Sequence, residues 1–139
     1  MRSQIANTMF DFIAALEQIT SEEQAFAELR KVANVFGFSS FAVSGIPEPH
    51  ERIDPYVLLN GWPEEWAARY MANQYFTIDP VIQRTILTDN AFVWSDALKH
   101  MTIGRQGQKF MAEARDFQFI DGFSVPIHSL MGFRAIVTF

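Results

Sequence analysis

Residues 123–139 read FSVPIHSLMGFRAIVTF, and this closing stretch decides the fold class of the 139-residue chain. Its two halves, Phe123–His128 and Phe133–Phe139, are rich in the β-branched and aromatic residues that strands favour. Between them, Met131-Gly132 supplies the glycine that a tight turn needs. The stretch therefore predicts an antiparallel hairpin at the end of the chain.

Two more strands are predicted upstream, over Phe38–Ser44 and Tyr56–Leu59, and most of the remaining chain has a helical period. The predicted helices lie over residues 5–18, from the Ser21/Gln24 capping box to Phe36, from Pro63 as first residue, from Pro80 as first residue, and over Gln106–Gln118 with Phe110, Ala114 and Phe117 buried. Helices and strands come in separate runs and do not alternate as βαβ units. This order predicts one α/β (α+β) domain, an antiparallel sheet sandwiched between helices.

Composition narrows the function classes. Apolar residues make up 49% of the chain, with 14 Phe, 3 Trp and 3 Tyr, which suits either an aromatic core or the wall of an apolar pocket. There is no cysteine, so disulfides and thiolate metal sites are excluded, and the three histidines lie far apart in the sequence. The net charge of −5 argues against a nucleic-acid surface. No segment is apolar enough over sufficient length to suggest a membrane span.

Residues 62–80 read WPEEWAARYMANQYFTIDP and concentrate the candidate functional side chains. Trp62, Trp66 and Tyr70 are four residues apart, so a helix beginning at Pro63 would place them on one face. Two indole N–H donors and a phenol on one stripe fit a pocket wall, although a core stripe with backbone partners has the same spacing. Asp79 before Pro80 is typical of a helix N-cap, and it serves a ligand as well only if its second oxygen faces that stripe.

A set of spaced residues extends this pattern to the end of the chain: Trp66, Tyr70, Asp79-Pro80, Trp94, Glu113-Ala114-Arg115-Asp116-Phe117, Gly122 and Val125-Pro126-Ile127. It resembles the autoinducer-binding domain of the LuxR-type quorum-sensing regulators, which sense N-acyl-homoserine lactones. The resemblance covers residues 60–139 closely and the first 45 residues loosely. It implies a single sensor domain over 1–139 that performs no chemistry on its ligand.

The resemblance also implies a binding site. Trp66 would donate to the lactone carbonyl, Asp79 would accept from the ligand amide, and Thr138 would lie near the acyl carbonyl. Trp94 would pack on the lactone ring. The complete expected set of ligand-binding residues is Trp62, Trp66, Tyr70, Asp79, Val81, Ile82, Trp94, Phe110 and Thr138. Two positions depart from the family pattern, since Trp62 replaces a Tyr and Gln118 replaces a Gly.

The implied partners are an acyl-homoserine lactone and a second copy of the domain, in the cytoplasm, with no cofactor and no membrane. DNA would be bound only through a C-terminal helix-turn-helix domain, which is absent from residues 1–139. Because the sequence ends on a strand, we expect an excised sensor. The alternative is an anti-activator that lacks the DNA-binding domain and blocks a full-length relative.

Two other classes are disfavoured by the residues themselves. An enzyme would need a nucleophile with its base, a metal site or a poised pair of acids, and no such set is recognisable. Ile103–Gly107 imitates the Gly-x-x-Gly loop of KH RNA-binding domains, but Asp96, Glu113 and Asp116 make its surroundings acidic.

Overall fold

The computed structural model describes the backbone of residues 2–139 and the side chains from residue 6 onward. Its helices are α1 (Arg2–Leu16), α2 (Glu22–Val35), α3 (Glu64–Ala72), α4 (Pro80–Leu87), α5 (Trp94–Leu98) and α6 (Arg105–Asp116). Its strands are β1 (Ala42–Gly45), β2 (Val57–Asn60), β3 (Phe92–Val93), β4 (Phe123–His128) and β5 (Arg134–Thr138). Short 3-10 turns cover Asp54–Tyr56 and Tyr75–Thr77.

The strands form one antiparallel sheet in the order β2-β1-β5-β4-β3. This confirms the predicted fold class and the closing hairpin, whose turn contains Gly132 at φ +84°. Strand β3 was missed because it is only a pair of residues, Phe92 opposite Ser124 and Val93 opposite Phe123.

The first strand starts later than the sequence predicts, at Ala42 and not at Phe38. Gly37 adopts φ +80°, and the Phe38 amide donates back to the carbonyl of Ala33 at 2.8 Å. This arrangement closes the C-terminus of α2. The residues directly after Gly37 therefore belong to the helix end, and strand pairing begins only after them.

Local capping signals account for several helix starts. The Ser21 hydroxyl accepts from the Gln24 amide at 3.2 Å, as the capping box predicts, while the Gln24 side chain accepts from the Thr20 amide at 2.8 Å. Pro80 is the first residue of α4, as predicted. The prediction for Pro63 was wrong, because Pro63 takes an extended ψ of 133° and precedes the helix, which begins at Glu64.

Helices cover both faces of the sheet. On one face, Phe26 of α2 packs on Phe41 with ring centroids 4.9 Å apart. On the other face, side chains from α3, α4 and α6 surround the main buried cluster, including Trp66 and Phe110. The core therefore lies between the sheet and these later helices, where the candidate binding residues were expected.

Helix α6 ends at Asp116, earlier than predicted, and Phe117 is only half-buried while Phe110 and Ala114 are buried. Gln118, which stands where the family pattern has glycine, adopts φ +73°. A left-handed residue with a side chain costs roughly 1–2 kcal/mol relative to glycine. The next residue, Phe119, packs against the main buried cluster.

Candidate binding cavity

An apolar cavity of about 70 Å³ lies between the sheet and helices α3, α4 and α6. All nine residues that the sequence selected line this cavity. The other lining residues, which sequence reasoning missed, are Ala42, Ser44, Ile53, Val57, Asn60, Ala67, Met71, Met111, Ala114, Phe119 and Ile136. The strand positions among them were missed because residue spacing does not reveal which strands become neighbours.

The aromatic wall is built by α3 and the residues just before it. Trp66 and Tyr70 are one helical turn apart and both buried, with ring centroids 6.0 Å apart. Trp62 lies ahead of the helix, yet its ring comes to 5.1 Å from Tyr70 and 6.4 Å from Trp66. The three side chains therefore converge, although only two of them belong to the helix.

Asp79 both caps a helix and faces the cavity. Its Oδ1 accepts from the Val81 amide at 2.9 Å, and its Oδ2 accepts from the Tyr70 hydroxyl at 2.7 Å. Burial raises the pKa of Asp79 to about 6, although these hydrogen bonds oppose the shift. The second oxygen does face the aromatic stripe, which was the condition for a role beyond capping.

Trp94 also lines the cavity and is held by two buried hydroxyl groups. Its indole N–H donates to Ser124 Oγ at 2.9 Å, and Ser124 Oγ lies 2.9 Å from Thr138 Oγ1. A Cβ at Gly122 would come within 2.6 Å of the Trp94 ring and 2.4 Å of the Phe139 carbonyl oxygen, so only glycine fits beside this indole. The orientation of Trp94 is therefore fixed by the protein itself.

Trp66 has no comparable partner. Its indole N–H makes no hydrogen bond to any of the described residues, although the side chain is only 2% exposed. The Trp62 indole N–H is also unbonded within that part of the chain, and both rings line the cavity. Each of these donors is therefore available to a ligand that places an oxygen in the cavity, and such a hydrogen bond contributes about 1 kcal/mol.

The floor of the cavity is the surface of the sheet, and the register between strands arranges its side chains in rows. One row contains Asn60, Ala42 and Thr138 and continues to Ser124. The next row contains Val57, Ser44 and Ile136. Neighbouring residues in a row are about 4.8 Å apart, and residues two apart along β1 or β5 are about 6.6 Å apart. In β2 the two floor residues, Asn60 and Val57, are three positions apart because the register between β1 and β2 shifts there.

The Gly-x-x-Gly imitation of an RNA-binding loop has a structural explanation. Gly104 precedes α6, and Gly107 lies within it. A Cβ on Gly107 would come within 2.8 Å of the Ile103 side chain and 3.4 Å of Pro80. The second glycine therefore allows close packing of α6 and is not part of a loop.

The family model described as autoinducer binding domain matches residues 21–139. With the fold and the cavity, this match shows that the chain belongs to the autoinducer-binding domain family of the LuxR-type quorum-sensing regulators. The resemblance inferred from the spaced residues is thereby confirmed.

Named relatives agree with this family. The chain is 34% identical over 128 residues to the transcriptional activator protein BjaR1 of Bradyrhizobium diazoefficiens, covering 92% of this chain and 53% of that protein. It is 30% identical over 100 residues to the quorum sensing-dependent regulator RpaR of Rhodopseudomonas palustris, covering 72% and 41%. The chain thus spans about half the length of these relatives. They are transcriptional regulators and not enzymes, which confirms that prediction.

Solved structures share the fold. The N-acylhomoserine lactone dependent LuxR family factor CepR2 of Burkholderia cenocepacia has a TM-score of 0.78 at 24% identity, over 97% of this chain and 77% of that one. SdiA in complex with octanoyl-rac-glycerol has a TM-score of 0.71 at 18% identity, over 99% and 52%. No helix within residues 2–139 is both long and apolar enough to cross a membrane.

Proposed function

We propose that the cavity binds an N-acyl-homoserine lactone and that the nine residues selected from the sequence contact it. The observation that carries the proposal is the unbonded indole N–H of Trp66 in the same apolar cavity as the buried carboxylate of Asp79. A ligand complementary to this pair is neutral and carries both an acceptor and a donor. The lactone carbonyl and the amide N–H provide these two groups.

The polar contacts of the head group follow from this pairing. Trp66 donates to the lactone carbonyl, and Asp79 accepts from the amide N–H. Oδ2 of Asp79 already accepts from Tyr70, but a carboxylate oxygen has room for a second donor. A hydrogen bond to this charged group contributes about 1.5–3 kcal/mol, and a neutral one contributes about 1 kcal/mol.

The remaining residues supply shape. Trp94 packs on the lactone ring, and the Thr138 hydroxyl lies near the acyl carbonyl, held by its contact with Ser124. The acyl tail runs over the floor against Val81, Ile82 and Phe110. Each buried methylene contributes roughly 0.8 kcal/mol, so the tail supplies much of the affinity while the polar groups fix orientation.

We further propose that residues 1–139 are the sensor part of a cytoplasmic regulator that binds DNA through a helix-turn-helix domain outside this sequence. The relatives, of which the chain spans about half, support this proposal by their names as transcriptional activators and regulators. The anti-activator alternative has no support from these comparisons.

A homodimer is the third part of the proposal. Three apolar residues of α1 support it by their exposure, since Phe10 is 71%, Ile13 51% and Leu16 46% exposed. A second copy would cover this stripe. Sedimentation at increasing protein concentration tests the idea, and a strict monomer with ligand bound would contradict it.

Thermal unfolding tests ligand binding. A hundredfold excess of ligand over Kd adds roughly 2.7 kcal/mol of stability, which raises the melting temperature by about 5–10 °C. We expect this increase with a cognate lactone from a panel of acyl chains. The same compound with its ring opened is the control, because its new carboxylate would lie close to Asp79. Identical melting curves with every lactone, with the ring-opened acid and with no ligand would refute the proposal.

A further inference from the structure

Ser44 is a polar residue in an otherwise apolar part of the cavity floor. It is buried and lines the cavity, with Val57 and Ile136 beside it in the same row. Its hydroxyl donates to the carbonyl of the adjacent Gly45 at 2.8 Å. Its oxygen accepts no hydrogen bond from any described residue, so both acceptor positions of that oxygen are unused.

The register gives the position of Ser44 relative to the proposed head-group site. Thr138 pairs with Ala42, and Ser44 lies two residues further along β1 on the same cavity-lining face. The separation is about 6.6 Å along the strand and 4.8 Å across it, or roughly 8 Å in total. With C–C bonds of about 1.5 Å, an extended chain covers that distance in about six bonds.

We propose that Ser44 binds a hydroxyl group carried on the distal part of the acyl chain, so that the signal is an acyl-homoserine lactone with a polar tail. The proposal rests on the proposed function, because it takes the acyl carbonyl to lie at Thr138. The ligand group is a donor, since Ser44 already uses its own proton on Gly45. A plain hydrocarbon tail would cover the Ser44 oxygen without bonding to it, and an ether or ketone would offer a second acceptor.

Three lactones with the same head group separate these cases: N-hexanoyl, N-(6-hydroxyhexanoyl) and N-(6-methoxyhexanoyl) homoserine lactone. We expect the unmodified protein to bind the hydroxylated compound more tightly than the methoxy compound. Ser44→Ala should weaken binding of the hydroxylated compound by about fivefold to tenfold, the effect of one hydrogen bond. The same substitution should change binding of the plain compound by less than about twofold, because that compound makes no bond to the missing hydroxyl.

Two control variants complete the experiment. Ser39→Ala makes the same chemical change at an exposed position outside the cavity and should alter none of the three affinities. Trp66→Phe should weaken all three compounds together, because they share the lactone.

The two proposals fail in different ways. Equal effects of Ser44→Ala on the hydroxylated and plain compounds, or no effect on either, would overturn the role of Ser44 while lactone binding stands. Binding of no lactone by the unmodified protein would overturn both.

Discussion

Two buried tryptophans that line the cavity, Trp66 and Trp94, differ in one respect. Trp94 is 7% exposed and its indole donates to Ser124, whereas Trp66 is 2% exposed and its indole donates to nothing in the described part of the chain. Both line the same cavity. Burial alone therefore does not show which indole N–H is bonded within the fold and which is left open to the cavity.

The difference lies in whether a group of the protein accepts the hydrogen bond of the indole N–H. On the Trp94 side the fold itself supplies the acceptor, because Ser124 accepts from the indole N–H and is in turn within hydrogen-bond distance of Thr138. On the Trp66 side the fold leaves a donor open to the cavity that Asp79 also lines, and burial raises the pKa of that carboxyl group to about 6. An open donor in a cavity is a candidate ligand contact, whereas a donor bonded within the fold is not.

The largest effect is expected from Gly122→Ala. The added methyl group would meet the Phe139 carbonyl oxygen at 2.4 Å and the Trp94 ring at 2.6 Å. Relieving these contacts means moving the β4–β5 end of the sheet or displacing Trp94, at a cost of about 3 kcal/mol. Denaturant unfolding without ligand measures this loss. A stability within about 0.5 kcal/mol of the unmodified protein would mean that Trp94 is not held rigidly.

Asp79→Asn should change how stability depends on pH. The pKa of Asp79 is about 6 in the folded chain, against 3.8 for the ordinary group, so the folded state binds the proton more tightly. The resulting stabilisation is fully present below pH 3.8 and is lost as the pH rises to about 6. Across that window, the unmodified ligand-free protein should lose up to about 3 kcal/mol relative to Asp79→Asn.

The other carboxylates titrate in both the unmodified protein and Asp79→Asn, so their effect on stability cancels when the two stability curves are subtracted. Asn is also a good N-cap, so helix α4 should survive the substitution. Parallel stability curves across the window would show that Asp79 is not strained by burial. With a lactone bound, the donated amide proton should favour the ionised carboxylate, so the affinity should increase as the pH rises through about 6.

Trp66→Phe and Trp94→Phe form a matched pair, since each deletes an indole donor and similar volume. Trp66→Phe should weaken lactone binding by about 1–3 kcal/mol, because the ligand carbonyl loses its donor. Trp94→Phe should instead lower the ligand-free stability by about 1 kcal/mol more than Trp66→Phe does, because an existing hydrogen bond to Ser124 is lost. Titration calorimetry measures the lactone affinity of both variants, and denaturant unfolding measures their ligand-free stability. Equal losses of affinity and of stability in both variants would contradict the proposed difference between the two tryptophans.

Local signals in the sequence were enough to predict much of the fold. The Ser21 cap, the Asp79-Pro80 helix start and the Gly132 turn act over a few residues, and each is present as predicted. Pro63 misled because an N-cap and a first helical residue differ by one position and proline is compatible with both. Helical spacing likewise brought Trp66 and Tyr70 together correctly.

The floor of the cavity could not be predicted in the same way. Ser44 and Asn60 became neighbours of the proposed site only when β1 paired with β5 and β2. Ser124 was missed because its role depends on Trp94, thirty positions away in sequence. Pairing between strands distant in the chain depends on the whole fold, and a single sequence carries little local trace of it.

The alternation of side chains along β1 has an evolutionary consequence. Ala42 and Ser44 face the cavity, while Phe41, the residue just before the strand, packs against Phe26 of α2. A mutation at a floor position changes what the cavity fits but leaves the backbone ladder and the packing against α2 intact. Ligand specificity in such a sensor can therefore change during evolution by single substitutions at floor positions. Each intermediate protein along the way would still fold.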